Sequence, residues 1–269
     1  MGKTELWQWD AVDLAKAIRL GRISSREAVQ ACLHRLDAVN PKLNAITFQI
    51  ADRALRDADA ADKAVKAGEA LGPLHGVPVS TKENVDQKDL PTPNGVVAYK
   101  DLIATSDSPV VANWRKAGAV IIGRTNAPAY SLRWDTDNAL RGRTYNPWAK
   151  ARTPGGSSGG AGAAVAAGIG PISHGNDYGG SVRYPAYCCG VAGLRPTMGR
   201  VPSFNPSAPA ERPFTFILFA VQGTLARRVR DVRLGHHAMS GRDARDPWWV
   251  PVHHHGRGAP THRVMAEPH

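Results

Sequence analysis

Two glycine-rich loops that each contain serine constrain the fold of this 269-residue chain more than any other feature. The first, residues 153–160, reads TPGGSSGG, and the second, residues 175–183, reads GNDYGGSVR. Glycine lets a backbone turn tightly and approach its neighbours closely, because it has no Cβ atom. Residues 161–168, between the loops, are almost all alanine and glycine. They predict a helix whose small side chains let its backbone pack close to a sheet.

The segments before these loops predict an α/β protein with a mixed, mostly parallel β-sheet flanked by helices. Residues 76–81 have the pattern of a short strand that ends at Lys82, and residues 119–123 that of a buried strand. Ser108–Pro109 is typical of a helix start, so a helix is expected between the two strands. Strand, helix and strand in this order predict a βαβ unit.

Three helices are predicted to precede these strands. One follows Asp10, and the next starts at a capping box in which Ser24 pairs with Glu27. This second helix is expected to end at Asn40–Pro41, because the residue before a proline disfavours helical geometry. An alanine-rich third helix is expected over residues 51–70.

Near residue 72 the alanine-rich helical pattern gives way to alternating apolar and small residues, which suggests a division of the chain into three parts. We expect an N-terminal helical segment at 1–71, a catalytic core at 72–250 and an irregular tail at 251–269. The tail contains His253 to His255, which could bind a metal ion, but a solvated tail is the interpretation we favour and no metal site is expected.

Composition narrows the class of protein. The formal net charge is 34 − 23 = +11, yet the basic residues are scattered, so no nucleic-acid partner is expected. Three cysteines, two of them adjacent, give no disulfide framework and favour a reducing compartment. The longest small apolar run is shorter than the about 20 residues that cross a bilayer. These observations predict a cytoplasmic protein without a membrane span.

Both loops have the features that a serine nucleophile needs. The hydroxyl requires a proton acceptor, and nearby backbone N–H groups must stabilise the developing oxyanion. The first loop also matches G-x-S-x-G, the nucleophile elbow of another hydrolase fold. That elbow follows directly on a strand, whereas Pro154 here interrupts one. A phosphate-binding loop is disfavoured because no Gly-Lys-Ser/Thr follows the glycines.

Several ordered motifs carry a specific resemblance. They are GPLHGVPVSTKEN (72–84), GAVIIGRTNAP (118–128), NPW (146–148), TPGGSSGG (153–160), GNDYGGSVRYPA (175–186) and CGVAGLRPTMGRVP (189–202). In order and spacing they resemble the amidase signature family of serine hydrolases. The resemblance covers about residues 10–250, and it implies the fold of that family, incomplete at its C-terminal side because family members are longer than this chain.

The resemblance implies a role for three side chains. Ser181 matches the nucleophile, Ser157 matches the bridging serine that follows a cis peptide bond, and Lys82 matches the base. Lys82 must be uncharged to accept a proton, so its pKa should lie near ~7 rather than ~10.4. Burial away from carboxylates lowers the pKa of a lysine in this way. Glu83 is expected to point to the opposite face.

The resemblance also implies supporting groups. The backbone amides of Tyr178, Gly179, Gly180 and Ser181 are expected to form the oxyanion hole. Ser158 is expected to help hold the lysine, and Asp177 with Arg183 to fix the nucleophile loop. Two departures from the family pattern, Thr81 for an apolar residue and Asn176 for threonine, are mild.

The implied activity is hydrolysis of a small-molecule amide through an acyl-enzyme, with no cofactor. Three alternatives remain open: a working amidase, completed by homo-oligomerisation that covers the incomplete sheet; a weakly active or inactive amidase-like protein; and the amidase subunit of a tRNA amidotransferase. A last expectation concerns the acyl pocket. The four residues Phe204, Phe214, Phe216 and Phe219 could line it, although a place in the core is the interpretation we favour.

Overall fold

The three N-terminal helices are present as predicted, but the second ends later than expected, and the third ends at Lys66 rather than near residue 70. The computed structural model describes residues 5–207 and 213–251, and the helices are α1 (Ala11–Arg19), α2 (Ser25–Leu43) and α3 (Ala51–Lys66). The capping box is present: Glu27 N–H donates to the Ser24 hydroxyl, and the Glu27 carboxylate accepts from Ser24 N–H.

Helix α2 does not end at Asn40–Pro41, as predicted, but continues to Leu43 with Pro41 inside it. The proline lies within the last turn, so it interrupts little of the helical hydrogen bonding. Asn44 then ends the helix in the left-handed conformation. The Asn40 side chain accepts from the N–H groups of Ala45 and Ile46 and stabilises this exit.

A six-stranded mixed sheet forms the centre of the molecule, as predicted. Its strands occur in the order β1-β3-β2-β4-β6-β5. Their bounds are β1 (Ile46–Gln49), β2 (Pro78–Lys82), β3 (Val120–Thr125), β4 (Ile172–Asp177), β5 (Ala192–Leu194) and β6 (Val221–Ala226). Neighbouring strands are parallel only between β3, β2 and β4, whereas the other three pairings are antiparallel. Four of the six strands therefore share one direction.

The remaining helices cover the sheet. They are α4 (Pro109–Lys116), α5 (Gly159–Ala166), α6 (Arg183–Cys189), α7 (Phe214–Phe219) and α8 (Val229–Met239). Helix α4 connects the parallel neighbours β2 and β3, which confirms the predicted βαβ unit. Trp114 of α4 is fully buried and donates its indole N–H to the Gly235 carbonyl of α8.

The N-terminal segment is joined to the sheet more closely than the sequence indicates. Strand β1, which the sequence analysis missed, pairs antiparallel with β3. At the other side of the molecule, the backbone N–H of Val12 donates to the Asp231 carboxylate of α8. The divisions at residues 71 and 250 stay predictions.

The end of the chain was expected to be irregular. The structure has no helix or strand from residue 243 to residue 251. Residues 252–269, and with them the histidine run of the tail, lie outside the described residues. Across the described ranges, 5–207 and 213–251, none of the helices combines the length and apolar character that crossing a bilayer requires.

Candidate active site

Lys82 lies at the end of β2, in the interior of the protein. Its side chain is fully buried, and its Nζ lies 2.6 Å from the Ser157 Oγ and 2.8 Å from the Asn176 Oδ1. β2 lies between β3 and β4 in the sheet, so both edges of this strand are paired with a neighbouring strand. The structure therefore brings together the predicted base and the predicted bridging serine, from residues that are far apart in sequence.

Burial changes the protonation of this lysine. Desolvation lowers the pKa of Lys82 to about 7, although the negative charges of Asp177 and Glu83 oppose the shift. The Glu83 carboxylate accepts from the Gly95 N–H and lies 3.6 Å from the Arg141 guanidinium. Near neutral pH a large fraction of Lys82 is therefore an uncharged amine that can accept a proton.

The first serine loop leads from a cis peptide bond into α5. The bond between Gly156 and Ser157 is cis, as the family resemblance implied. Ser158 follows, and its backbone N–H donates to the Ser181 carbonyl at 3.2 Å, which ties the two serine loops together. The expected contact of Ser158 with the lysine is not formed: its hydroxyl instead lies 3.4 Å from the Asn176 carbonyl.

Ser181, the predicted nucleophile, lies on the turn between β4 and α6. Its side chain is largely buried, and it lines the same cleft as Ser157. Within the part of the chain that the structure describes, no hydrogen bond joins the hydroxyls of Ser181 and Ser157. The lysine–serine contact is thus present, and the second contact of the predicted relay is not made in this conformation.

A buried carboxylate organises the turn that carries Ser181. Asp177 binds the Arg183 guanidinium in a bidentate pair, with nitrogen–oxygen distances of 2.8 and 3.1 Å. It also accepts from the backbone N–H groups of Gly180, Val182 and Arg183. Burial alone would raise the pKa of this carboxyl, but these hydrogen bonds hold it at about 2. The predicted Asp177–Arg183 pair is therefore present, and its charge is permanent at neutral pH.

The predicted oxyanion donors are not equivalent. The Gly180 N–H, one of the four expected donors, is taken by the Asp177 carboxylate. The N–H groups of Tyr178, Gly179 and Ser181 have no acceptor within the described residues. Gly179 has no atoms near the position that a Cβ would occupy, so a ligand can approach the backbone there. Three backbone donors remain available in this conformation.

A cleft of about 700 Å³ opens above Ser157 and Ser181. This volume lies in the usual range for small-molecule sites. The Tyr178 ring stacks on Phe216 with centroids 4.9 Å apart and meets the edge of Phe219 at 6.2 Å. Further residues of the lining are Asn84, Tyr130, Trp134, Phe204, Asn205 and Gln222.

The four phenylalanines are not core residues, so the interpretation we favoured from the sequence is wrong. Phe204 and Phe216 line the cleft, and Phe214 and Phe219 are exposed. The reason is position: they lie on α7 and on the segment before it, which cover the mouth of the cleft rather than a closed interior.

Asn176 is the functional candidate that the sequence analysis missed. It was treated as a mild substitution, yet its Oδ1 accepts from the lysine amine and its Nδ2 donates to the Asn84 Oδ1. The alternation of side chains along β4 could have drawn attention to Asn176, because it places residue 176 on the face of the strand opposite to Asp177.

No cluster of metal-ligating side chains occurs in residues 5–207 and 213–251.

The fold and the site together define an α/β protein in which a loop serine that lines the cleft is hydrogen-bonded to a buried lysine behind it. The chain belongs to the amidase family, whose model matches residues 27–264. This confirms the family that the sequence motifs indicated.

Named relatives agree with this assignment. The indoleacetamide hydrolase of Bradyrhizobium diazoefficiens is 59% identical over 250 residues, which are 93% of this chain and 48% of that protein. The acylamidase of Rhodococcus erythropolis is 41% identical over 247 residues, 92% of this chain and 50% of that protein.

A solved structure confirms the fold. A bacterial aryl acylamidase of the amidase signature family superposes with a TM-score of 0.84 at 33% identity, covering 91% of this chain and 50% of that one. The chain thus spans about half the length of the relatives that it matches, in sequence and in structure.

Proposed function

We propose that this site hydrolyses a carboxylic amide to a carboxylate and an amine or ammonia. The observation that carries the proposal is the 2.6 Å contact between the Lys82 Nζ and the Ser157 Oγ, made by an amine whose pKa burial lowers to about 7. A charged lysine could only donate in this contact, whereas an uncharged one can also accept the serine proton.

The first half of the proposed reaction forms an acyl-enzyme. The Ser181 Oγ attacks the amide carbonyl carbon, its proton passes to the Ser157 Oγ, and the Ser157 proton passes to the Lys82 Nζ. The backbone N–H groups of Tyr178, Gly179 and Ser181 stabilise the oxyanion. The protons then return by the same path to the leaving nitrogen, the carbon–nitrogen bond breaks, and the amine departs.

The second half releases the acid. Water takes the place of the amine, gives a proton to the same relay and attacks the ester carbonyl, and Ser181 recovers its proton as it leaves. The relay requires the Ser181 hydroxyl to donate to Ser157. Catalytic hydrogen bonds often tighten only when substrate binds, so a side-chain rotation of Ser181 is part of the proposal.

The walls of the cleft suggest the substrate class. Aromatic rings of Tyr178, Phe216 and Trp134 line it, and stacked rings favour a planar aromatic acyl group. The relatives are named for indoleacetamide and acyl amides. We therefore propose amides of aromatic acetic acids (arylacetamides) as the substrates.

The proposed function is tested with the purified chain and phenylacetamide as substrate. Release of phenylacetate is followed for the unaltered chain, for Ser181→Ala and for Ser157→Ala. Both variants are expected to lose at least about a thousandfold in kcat/KM, because each removes a member of the relay. Hydrolysis that persists unchanged in Ser181→Ala would contradict the mechanism.

Two predictions about the surroundings of the chain belong to this proposal. A homo-oligomer could cover the strands at the ends of the sheet, β1 and β5, and light scattering would detect it.

A reducing, cytoplasmic location is supported by three free thiols, of which Cys32 and Cys189 are buried. Burial raises the pKa of these two thiols to about 11 and about 12 respectively, so neither is reactive at neutral pH.

A further inference from the structure

A chain of hydrogen bonds runs from the backbone of the proposed base to the wall of the cleft. The Lys82 N–H donates to the His174 Nδ1 at 3.4 Å, and the His174 Nε2 lies 2.8 Å from the Gln222 Oε1. The Gln222 Nε2 then donates to the Ser203 Oγ at 2.9 Å. His174 is fully buried, whereas Gln222 and Ser203 line the cleft. The proposed relay uses none of the last three side chains.

The direction of this chain follows from its first member. A backbone N–H can only donate, so the His174 Nδ1 must be the unprotonated ring nitrogen and Nε2 must carry the hydrogen. That hydrogen requires an acceptor, which sets the Gln222 amide with its oxygen towards the histidine. The NH2 group of the amide therefore faces Ser203. A reversed amide would place two donors against each other at His174.

The consequence appears at Ser203. One lone pair of its hydroxyl is taken by Gln222, and its backbone N–H donates to the buried Asp246 carboxylate at 2.7 Å. These two contacts hold the residue in place from both sides. Its own O–H has no acceptor among residues 5–207 and 213–251. A molecule that fills the cleft and displaces water must supply that acceptor or leave a polar group unpaired.

We propose that Ser203 is a specificity-determining hydrogen-bond donor, positioned by His174 and Gln222, that selects amides carrying a second hydrogen-bond acceptor besides the scissile carbonyl. The aromatic walls of the cleft make a ring nitrogen the simplest such acceptor. An acceptor at the right ring position gains one hydrogen bond, and its hydrocarbon isostere leaves the serine donor unpaired. As a statement about substrates, this inference rests on the proposed amide hydrolysis.

Binding to the Ser181→Ala chain tests the inference without turnover. The probes are phenylacetamide and the three isomeric pyridylacetamides, which differ from it by one ring atom, and Kd is measured by titration calorimetry. At least one pyridyl isomer is expected to bind about tenfold more tightly than phenylacetamide, the size of one hydrogen bond. Adding Ser203→Ala should reduce this ratio to about one, whereas Ser203→Thr, which keeps the hydroxyl, should preserve it.

The positioning part is tested with Gln222→Glu, which is nearly the same shape. At pH 8 a carboxylate offers only acceptors, so the Ser203 O–H should turn towards it and the preference for the pyridyl probe should disappear. A merely structural role of Gln222 would weaken both probes alike and leave their ratio unchanged. Circular dichroism of each variant confirms folding before binding is compared.

The outcomes separate this inference from the proposed function. Equal Kd values for all four probes, or a ratio that survives Ser203→Ala, would overturn the inference while leaving amide hydrolysis intact. Selective binding by a chain that hydrolyses none of the probes would keep Ser203 as a selective donor and contradict the proposed hydrolysis. Failure of every probe to bind would overturn both.

Discussion

At the scale of single residues, the proposed relay depends on keeping one amine uncharged. Lys82 has polar partners in Ser157 and Asn176, and its carboxylate neighbours do not bind the amine. Glu83 turns its carboxylate to Gly95 and Arg141, and Asp177 turns its own to Arg183. The acids remain near enough to oppose the shift, but the loss of hydration outweighs them.

The first prediction is an acid limb in the pH–rate profile. Because the proposed relay needs an uncharged Lys82 and the pKa of this residue is about 7, kcat/KM for phenylacetamide should fall about tenfold for each pH unit below that value. The measurement is kcat/KM from pH 5 to pH 9 with this uncharged substrate. A profile that stays flat to pH 5, or one that rises only near pH 10, would argue against Lys82 as the base.

The second prediction concerns Asn176, whose Oδ1 accepts from the amine at 2.8 Å. Asn176→Asp places a negative charge at this distance, which favours the charged lysine and raises its pKa. The acid limb should therefore move by about one pH unit or more to higher pH. Asn176→Thr is the matched control, since it adds no charge, and its limb should stay near that of the unaltered chain. Coincident limbs for the two variants would contradict the assignment of Asn176.

At the scale of elements, helix α5 must approach its neighbours without side chains in the way. A Cβ on Gly160 would lie 2.5 and 2.6 Å from backbone atoms of Asn126, which cannot move aside. This explains why glycine and alanine dominate residues 159–166. Ser157 and Ser158 directly precede the first residue of this helix, so the close packing of the helix also sets the position of the candidate site.

A third prediction follows for Gly160→Ala. The added methyl group should lower the free energy of unfolding by about 2 kcal/mol, within the range of overpacked core sites. Gly162→Ala in the same helix is the control: its nearest contacts are 3.1 and 3.2 Å, and the better helix propensity of alanine offsets them. Urea denaturation measures both. An equal effect of the two substitutions would show that backbone approach at Gly160 is not limiting.

At the scale of the whole molecule, the buried lysine couples the site to global stability. Its pKa is about 7 in the folded chain against an ordinary value of 10.5. Between these values the unfolded chain binds one more proton than the folded chain, so this residue makes stability rise with pH. Burial of Lys82 therefore lowers the free energy of unfolding, and this loss is largest at acid pH.

The fourth prediction compares the chain with Lys82→Met, which keeps a long side chain without the titrating group. Raising the pH from 7.5 to 9 should stabilise the unaltered chain by about 2 kcal/mol relative to the variant, at about 1.4 kcal/mol per pKa unit. Denaturant unfolding at the two pH values gives the difference directly. If the variant and the unaltered chain respond identically to pH, Lys82 keeps its ordinary pKa in the fold.

Parts of the site were predictable because their signals are local in sequence. The glycines beside Ser157 and Ser181, and the position of Lys82 at the end of a strand, carry their meaning within a few residues. The βαβ unit and the capping box of Ser24 are local in the same way. The strand pattern could single out Asn176, but the hydrogen-bond partners of Asn176 and Ser203 lie far from them in the chain and required the structure.

The sequence by itself determined the family, the mixed sheet with its helices and the three candidate relay residues, since short motifs and periodic patterns encode them. Only the tertiary structure decided the pairing of β1 with β3, the engagement of the Gly180 N–H by Asp177 and the hydrogen-bond chain from His174 to Ser203. Contacts of this kind depend on distances between residues far apart in the chain. The low pKa of Lys82 has a part of each kind. The sequence motif predicted a buried lysine with a lowered pKa, whereas the positions of the Glu83 and Asp177 carboxylates around the amine depend on the packing of the whole molecule.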